Sequence, residues 1–183
     1  MNVIKTEIDG VLLIEPRVFP DGRGFFFESF NDKRYKEAGL ELDFVQDNVS
    51  RSKKGTIRGL HYQVGDFAQG KLCQVVKGKV LDVALDIRHG SPTFGKYVEA
   101  ELTEDNHLQL WLPPGFAHGF SVLSDEAIFL YKCTALYDKD SERSIIYNDA
   151  DLGIDWRVSK PMISEKDLEA KPFKEIEKDF IYQ

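Results

Sequence analysis

The chain has 183 residues, of which 42% are hydrophobic and 30% charged, with a formal net charge of −7. That length suits one well-buried domain and is too short for two large ones, and the composition excludes a disordered chain. The acidic balance argues against a nucleic-acid protein, which would carry a basic face, but leaves room for an anionic small molecule in a locally positive pocket.

The N-terminal MNVIKTEIDG has no basic start followed by a long apolar run, so no signal peptide is expected. No stretch approaches the roughly 18 consecutive apolar residues of a membrane span, and a cytoplasmic protein is the expectation. Short strand candidates then follow one another: VLLIEPRVF, GRGFFFESF, FVQDNVS, TIRGLHYQ, KLCQVV and KVLDVALDI, then YVEAEL, HLQLWL, GFSVL, EAIFLYKCTALY and RSIIYN. Turn signals between them favour an antiparallel sandwich or barrel. Between the second and third candidates, Asn31 can cap a short helix through Glu37, ending near Gly39, and near the C-terminus Ser164 can cap another beginning at Glu165. KGK at Lys77–Lys79 reads as a tight hairpin. After it, Leu81, Val83, Leu85 and Ile87 share one parity and Asp82 and Asp86 the other, which predicts one buried and one polar face. No repeat or linker breaks the pattern, so residues 1–183 read as a single domain. Cys73 and Cys133 lie in apolar runs and read as buried free thiols.

WLPPGFAHGFSVL places His118 just after a Pro-Gly turn, downstream of a strand carrying His61. This arrangement resembles the cupin-type jelly roll. Metal-binding cupins set two histidines at alternate positions of the first strand, so that both imidazoles reach one ion. Here the pair is His61 and Gln63, and an amide replaces an imidazole poorly at a transition-metal site. A metal site is therefore not expected. Arg23, Glu28, Arg58, His61, Lys71 and Lys132, with Gln46, Asp47 and Asn48, lie in or beside apolar strand segments, where unpaired polar groups are costly. So many of them suggest a barrel with a polar cavity. In EAIFLYKCTALY, Phe129, Tyr131, Cys133 and Tyr137 share one parity. Tyrosines lining a ligand cavity and tyrosines packed in a core with satisfied hydroxyls are equal alternatives from the pattern alone.

GRGFFFESF, FVQDNVSRS, RGLHYQ, QGKLCQVVKG, PPGFAHGF, YKCTALYDKDSE, GIDW and ISEKD, in this order over nearly the whole chain, resemble the dTDP-4-dehydrorhamnose 3,5-epimerase family. The resemblance implies an all-β, cupin-type jelly-roll barrel of antiparallel strands with short peripheral helices. It implies a metal-independent, cofactor-free isomerase that inverts C3 and C5 of dTDP-4-dehydro-6-deoxy-D-glucose. By the same resemblance His61 is the base, Asp167 the carboxylate that orients it, Tyr131 the acid and Lys71 the cation near the C4 oxygen. Arg23, Arg58 and His118 match positions near the diphosphate or sugar. Glu28, Gln46, Asp47, Asn48, Glu142 and Lys166 match substrate-binding stretches, and Tyr137 resembles an aromatic that stacks on thymine. Strict alternation puts Arg58 and His61 on opposite faces, so both can line one cavity only if the strand bulges, with Gly59 the expected place. A homodimer exchanging an N-terminal strand is implied, with no nucleic-acid or membrane partner. The alternatives are a relative that epimerises one carbon or isomerises the ketosugar, a non-catalytic sugar-nucleotide-binding cupin, and a metal-dependent cupin isomerase or oxygenase.

Overall fold

The computed structural model describes residues 1–40 and 43–182. In chain order, β1 (Asn2–Lys5) and β2 (Leu12–Glu15) lead to β3 (Val18–Asp21), β4 (Gly24–Phe27) and helix α1 (Asp32–Glu37). The middle of the chain forms β5 (Gln46–Lys53), β6 (Ile57–Gln63), β7 (Lys71–Lys77) and β8 (Lys79–Asp86). Then come β9 (Tyr97–Thr103), β10 (Gln109–Leu112), β11 (Phe116–Val122), β12 (Glu126–Cys133), β13 (Glu142–Ser144) and helix α2 (Glu165–Leu168). The strands build a six-stranded sheet, β1-β2-β10-β7-β12-β5, and a five-stranded sheet, β13-β6-β11-β8-β9. Pairing within them is antiparallel. This is the two-sheet jelly roll expected of the sequence.

Alternation turns one face of each sheet toward the other. Cys73, Val75, Leu110 and Phe129 from the first sheet meet Val80, Ala84, Phe116 and Phe120 from the second in one apolar cluster. The polar face predicted for β8 does not exist, because both of its faces are covered. Leu81, Val83 and Leu85 point outward but pack with Leu152 and Trp156 of the C-terminal segment, while Asp82 and Asp86 are fully buried. An interior strand of a sheet covered on both sides has no solvent face to give its carboxylates. Each finds polar partners instead: Asp86 takes Arg88, Ser91 and Thr93, and Asp82 takes His118.

Local signals act where the sequence places them. Asn31 caps α1 by accepting from the Arg34 N–H, and Ser164 caps α2 by accepting from the Asp167 N–H. Gly78 joins β7 to β8 at a positive φ of 81°. Among the described residues the β3–β4 hairpin pairs with no other strand. Phe25 and Phe27 pack on His107, with ring centres 4.4 and 4.9 Å away, yet Phe25 and Phe26 remain mostly exposed. Cys73 and Cys133 are buried and unpaired. Among the described residues no helix is long and apolar enough to cross a membrane.

Candidate active site

A cavity of about 130 Å³ opens between the sheets at the end where β6, β7, β12 and β5 approach one another. His61 enters it from β6 in the five-stranded sheet, whereas Tyr131 and Lys71 enter from β12 and β7 in the six-stranded sheet. Gln46 and Asn48, alternate residues of β5, complete that second wall, with Asn48 directly opposite Tyr131.

Gly59 decides how His61 gets there. Its φ is +119°, and a Cβ at this position would lie 2.5 Å from Gly119 Cα. Only glycine allows so close a backbone approach with that dihedral. The pairing of β6 with β11 shifts register here, between His118 and Phe120. Ile57 and Leu60, three residues apart, consequently join the same apolar cluster, and Arg58 and His61 share the other face.

His61 is partly exposed, and its Nε2 lies 2.6 Å from Oδ1 of Asp167, whose side chain is only 5% exposed. Burial by itself would raise the Asp167 carboxyl. The hydrogen bond and charge of His61, with hydrogen bonds from Ser164 and the Gly59 backbone, outweigh it and hold the group below its ordinary value. The capped first turn of α2 thus delivers an ionised carboxylate to the imidazole.

Lys71 is 8% exposed, and among the described residues its ammonium has no carboxylate within ion-pair distance. Burial pushes its pKa down, against the partial support of Cys133, Cys73, Asp82 and Glu142. A buried cation without a partner is costly, which is a reason to look for an anion that it would meet during function. Tyr131 lies beside it, with the Lys71 Nζ 6.0 Å from the ring centre. Burial pushes the Tyr131 phenol up to about 12, so it holds its proton throughout the neutral range.

At the mouth, Tyr137 donates its hydroxyl to Glu142 at 3.0 Å, and Lys166 also binds Glu142. Gln63 faces the same region but is fully used. Its Nε2 donates to the carbonyls of Phe67 at 2.7 Å and Leu136 at 3.0 Å, and its Oε1 accepts from the Asp138 N–H at 2.9 Å. Gln69 donates to the Ala135 carbonyl, and the Gln46 side chain accepts from the Tyr137 N–H. Three glutamine amides therefore tie down the loop that carries Tyr137.

Several expected site residues lie elsewhere. Asp47 projects from the opposite face of β5 to Gln46 and Asn48 and binds Lys132 at 2.8 Å outside the barrel, as alternation requires. His118 is buried behind the residues that line the cavity, with Nε2 2.7 Å from Asp82 Oδ1, and burial lowers its pKa despite that carboxylate. Arg58 does not line the cavity; it is exposed and donates to Ser52, although its charge partly opposes the rise in the Tyr131 pKa. Arg23 is 91% exposed and paired with Asp21, and Glu28 pairs with Asn31 and Arg34 beside α1, so neither reaches the cavity within this chain. Gln63, Gln69 and Asp82 are the residues that sequence reasoning did not assign. Gln63 was visible only as an amide in place of a second histidine, and Asp82 only as a polar residue alternating in an apolar strand.

The arrangement offers a histidine–carboxylate pair on one wall, a protonated phenol on the other and a cation between them. That set can move protons on either face of a carbon beside a carbonyl. Residues 5–175 match the family model described as dTDP-4-dehydrorhamnose 3,5-epimerase. The chain is 56% identical over 174 residues to the dTDP-4-dehydrorhamnose 3,5-epimerase of Shigella flexneri, covering 94% of this chain and 96% of that one. It superposes on the dTDP-6-deoxy-D-glucose-3,5-epimerase of Legionella pneumophila, solved in complex with dTDP-4-keto-L-rhamnose, with a TM-score of 0.95. That match is 52% identical and covers 100% of this chain and 98% of the other. A 3'-monoepimerase from Streptomyces bikiniensis, solved with dTDP-quinovose, is also similar in fold at a TM-score of 0.89, but only 32% identical, over 93% of this chain and 87% of that one.

Proposed function

The chain belongs to the dTDP-4-dehydrorhamnose 3,5-epimerase family, and from that premise we propose how its residues carry the reaction. The enzyme inverts C3 and C5 of dTDP-4-dehydro-6-deoxy-D-glucose to give dTDP-4-dehydro-L-rhamnose. The C4 ketone acidifies the protons on both carbons. His61 removes them, held in one tautomer by Asp167, whose carboxylate stabilises the imidazolium that forms. The negative charge that develops on the C4 oxygen is met by Lys71, whose ammonium is buried and has no ion-paired carboxylate among the described residues. Tyr131 delivers a proton to the opposite face. The single observation that carries this reading is that His61 and Tyr131 stand on different sheets yet share one cavity with Lys71.

Neither metal nor cofactor takes part. The cavity suits the hexose ring, with the nucleotide lying along the mouth past Glu142, Lys166 and Tyr137. Gln46 and Asn48 contribute hydrogen bonds from β5. The protein works in the cytoplasm as a homodimer. The dimer is supported by the β3–β4 hairpin, which among the described residues pairs with no other strand and exposes 58% of Phe25 and 66% of Phe26. In the dimer this hairpin reaches the second subunit and carries Arg23, whose exposed guanidinium turns from Asp21 to phosphate, to the partner's site. NMR of the keto-sugar nucleotide with enzyme in deuterated water tests the reading. Deuterium and inversion at both carbons are expected, and inversion at one carbon alone would make it a single-carbon epimerase.

A further inference from the structure

The turn that carries Asp167 has little of its own to hold it. Helix α2 is four residues long, and Asp167 is its only buried residue. Leu168, its one apolar side chain, is 53% exposed. Backbone bonds tie the segment down on either side: the Met162 N–H donates to the Gly55 carbonyl at 2.8 Å, and the Ile146 N–H donates to the Lys171 carbonyl at 2.9 Å. Between those ties no apolar face of α2 packs on the sheet, and a single helical turn is marginal without one. Local bonds must set its geometry.

Ser164 supplies them. Its Oγ and its carbonyl oxygen both accept from the Asp167 N–H, at 3.2 and 3.1 Å, and the same carbonyl accepts from the Leu168 N–H at 3.1 Å. Ser-x-x-Asp has the spacing of a capping box, in which the acidic side chain turns back to the N–H of the cap. Here the Asp167 carboxylate goes instead to His61 Nε2 at 2.6 Å. The turn thereby gives up the reciprocal half of the box and depends on the serine hydroxyl. That hydroxyl also helps to hold the Asp167 carboxyl below its ordinary value.

We propose that Ser164 is a positioning residue for the reaction, its hydroxyl fixing the turn of α2 at which the Asp167 carboxylate meets the His61 imidazole. The inference rests on the reading of Asp167 as the carboxylate that orients the base. Ser164 is itself exposed and does not line the cavity, so its effect on the rate passes through Asp167.

Four full-length variants test this: Ser164→Ala, Ser164→Thr, Asp167→Asn, and Ser164→Ala combined with Asp167→Asn. The readouts are kcat, deuterium entry at C3 and C5, dTDP affinity by calorimetry, and Tm. In Ser164→Ala, exchange and inversion should fall together by about three- to tenfold, the size of effect that one lost N-cap produces. Affinity for dTDP and Tm should change little. Threonine keeps the capping oxygen and should restore most of the rate. Asp167→Asn should lose more, and adding Ser164→Ala to it should cost nothing further, because no carboxylate is left to place. A full rate in Ser164→Ala, an equal additional loss in the double variant, or no recovery with threonine would each overturn the inference. So would a fall in dTDP affinity with kcat held, which would tie Ser164 to the nucleotide through Lys166. A fully active Asp167→Asn would overturn the reading of Asp167 and the inference with it, whereas an impaired Asp167→Asn beside a fully active Ser164→Ala would overturn the inference alone.

Discussion

His61 Nε2 lies 2.6 Å from Oδ1 of Asp167, a carboxylate 106 residues further along the chain. The pair joins a strand of the five-stranded sheet to a four-residue helix whose first turn is capped by Ser164. Removing the imidazole therefore removes the base without removing the wall that carries it. In His61→Asn, deuterium entry at C3 and C5 should fall together, by about 10²–10⁴-fold, while dTDP still binds. Exchange surviving at either carbon would reveal a second base.

Tyr131→Phe separates exchange from inversion. The ring and its packing stay, so the fold should hold apart from a modest loss. His61 can still remove a proton and return a deuteron to the same face. Deuterium should enter with retention at the first carbon processed, and inversion should drop steeply. Normal inversion in this variant would assign the acid to another group or to water.

The alkaline limb of the pH profile should belong to Lys71. Burial lowers its pKa below the ordinary 10.5, whereas Tyr131 is pushed up to about 12. As pH rises, the ammonium is lost first, and activity falls at a pH below the usual lysine range. The limb should persist in the residual exchange catalysed by Tyr131→Phe, and its disappearance there would assign it to the phenol. The same depressed pKa means that the folded state binds fewer protons than the unfolded one, so this group costs stability below its folded pKa and the cost fades as pH climbs. Lys71→Met should accordingly be inactive yet melt higher at neutral pH.

Gln63 tests the difference between a ligand and a brace. Its amide is saturated by Phe67, Leu136 and Asp138, all backbone groups. Gln63→Leu should loosen the loop carrying Tyr137 and raise KM for the nucleotide sugar several-fold, with kcat changed much less. Exhaustive chelation should leave the unmodified enzyme's rate unchanged. Loss of activity on chelation, recovered with a divalent metal, would restore a metal role at this strand.

Subunit mixing tests the arm. Arg23→Ala and His61→Asn should each be weak alone. If the β3–β4 hairpin serves the partner's site, a mixed dimer contains one site with both native residues. Mixing under exchange conditions should recover activity that neither variant has. No recovery in demonstrated mixed dimers would place Arg23 in its own subunit's site or outside any site.

The sequence by itself determined the elements and their relative faces. The caps Asn31 and Ser164 started their helices and Gly78 turned the β7–β8 hairpin, and the alternation of β5 sets Gln46 and Asn48 apart from Asp47, although the three read together from the sequence as site residues. Those are local effects, readable from a few adjacent residues. Only the tertiary structure decided which face was the inside. Alternation says that Asp47 opposes Asn48, but the packing of the second sheet makes Asn48 the one in the cavity and leaves Asp47 to Lys132. The C-terminal segment buries the outer face of β8, so Asp82, read as solvent-facing, instead sits at 0% exposure against His118. The close approach of Gly59 to Gly119 turns Arg58 and His61 to one side. Burial of a given side chain depends on elements far away in the chain, and the free energy of covering a face is settled only when those elements meet.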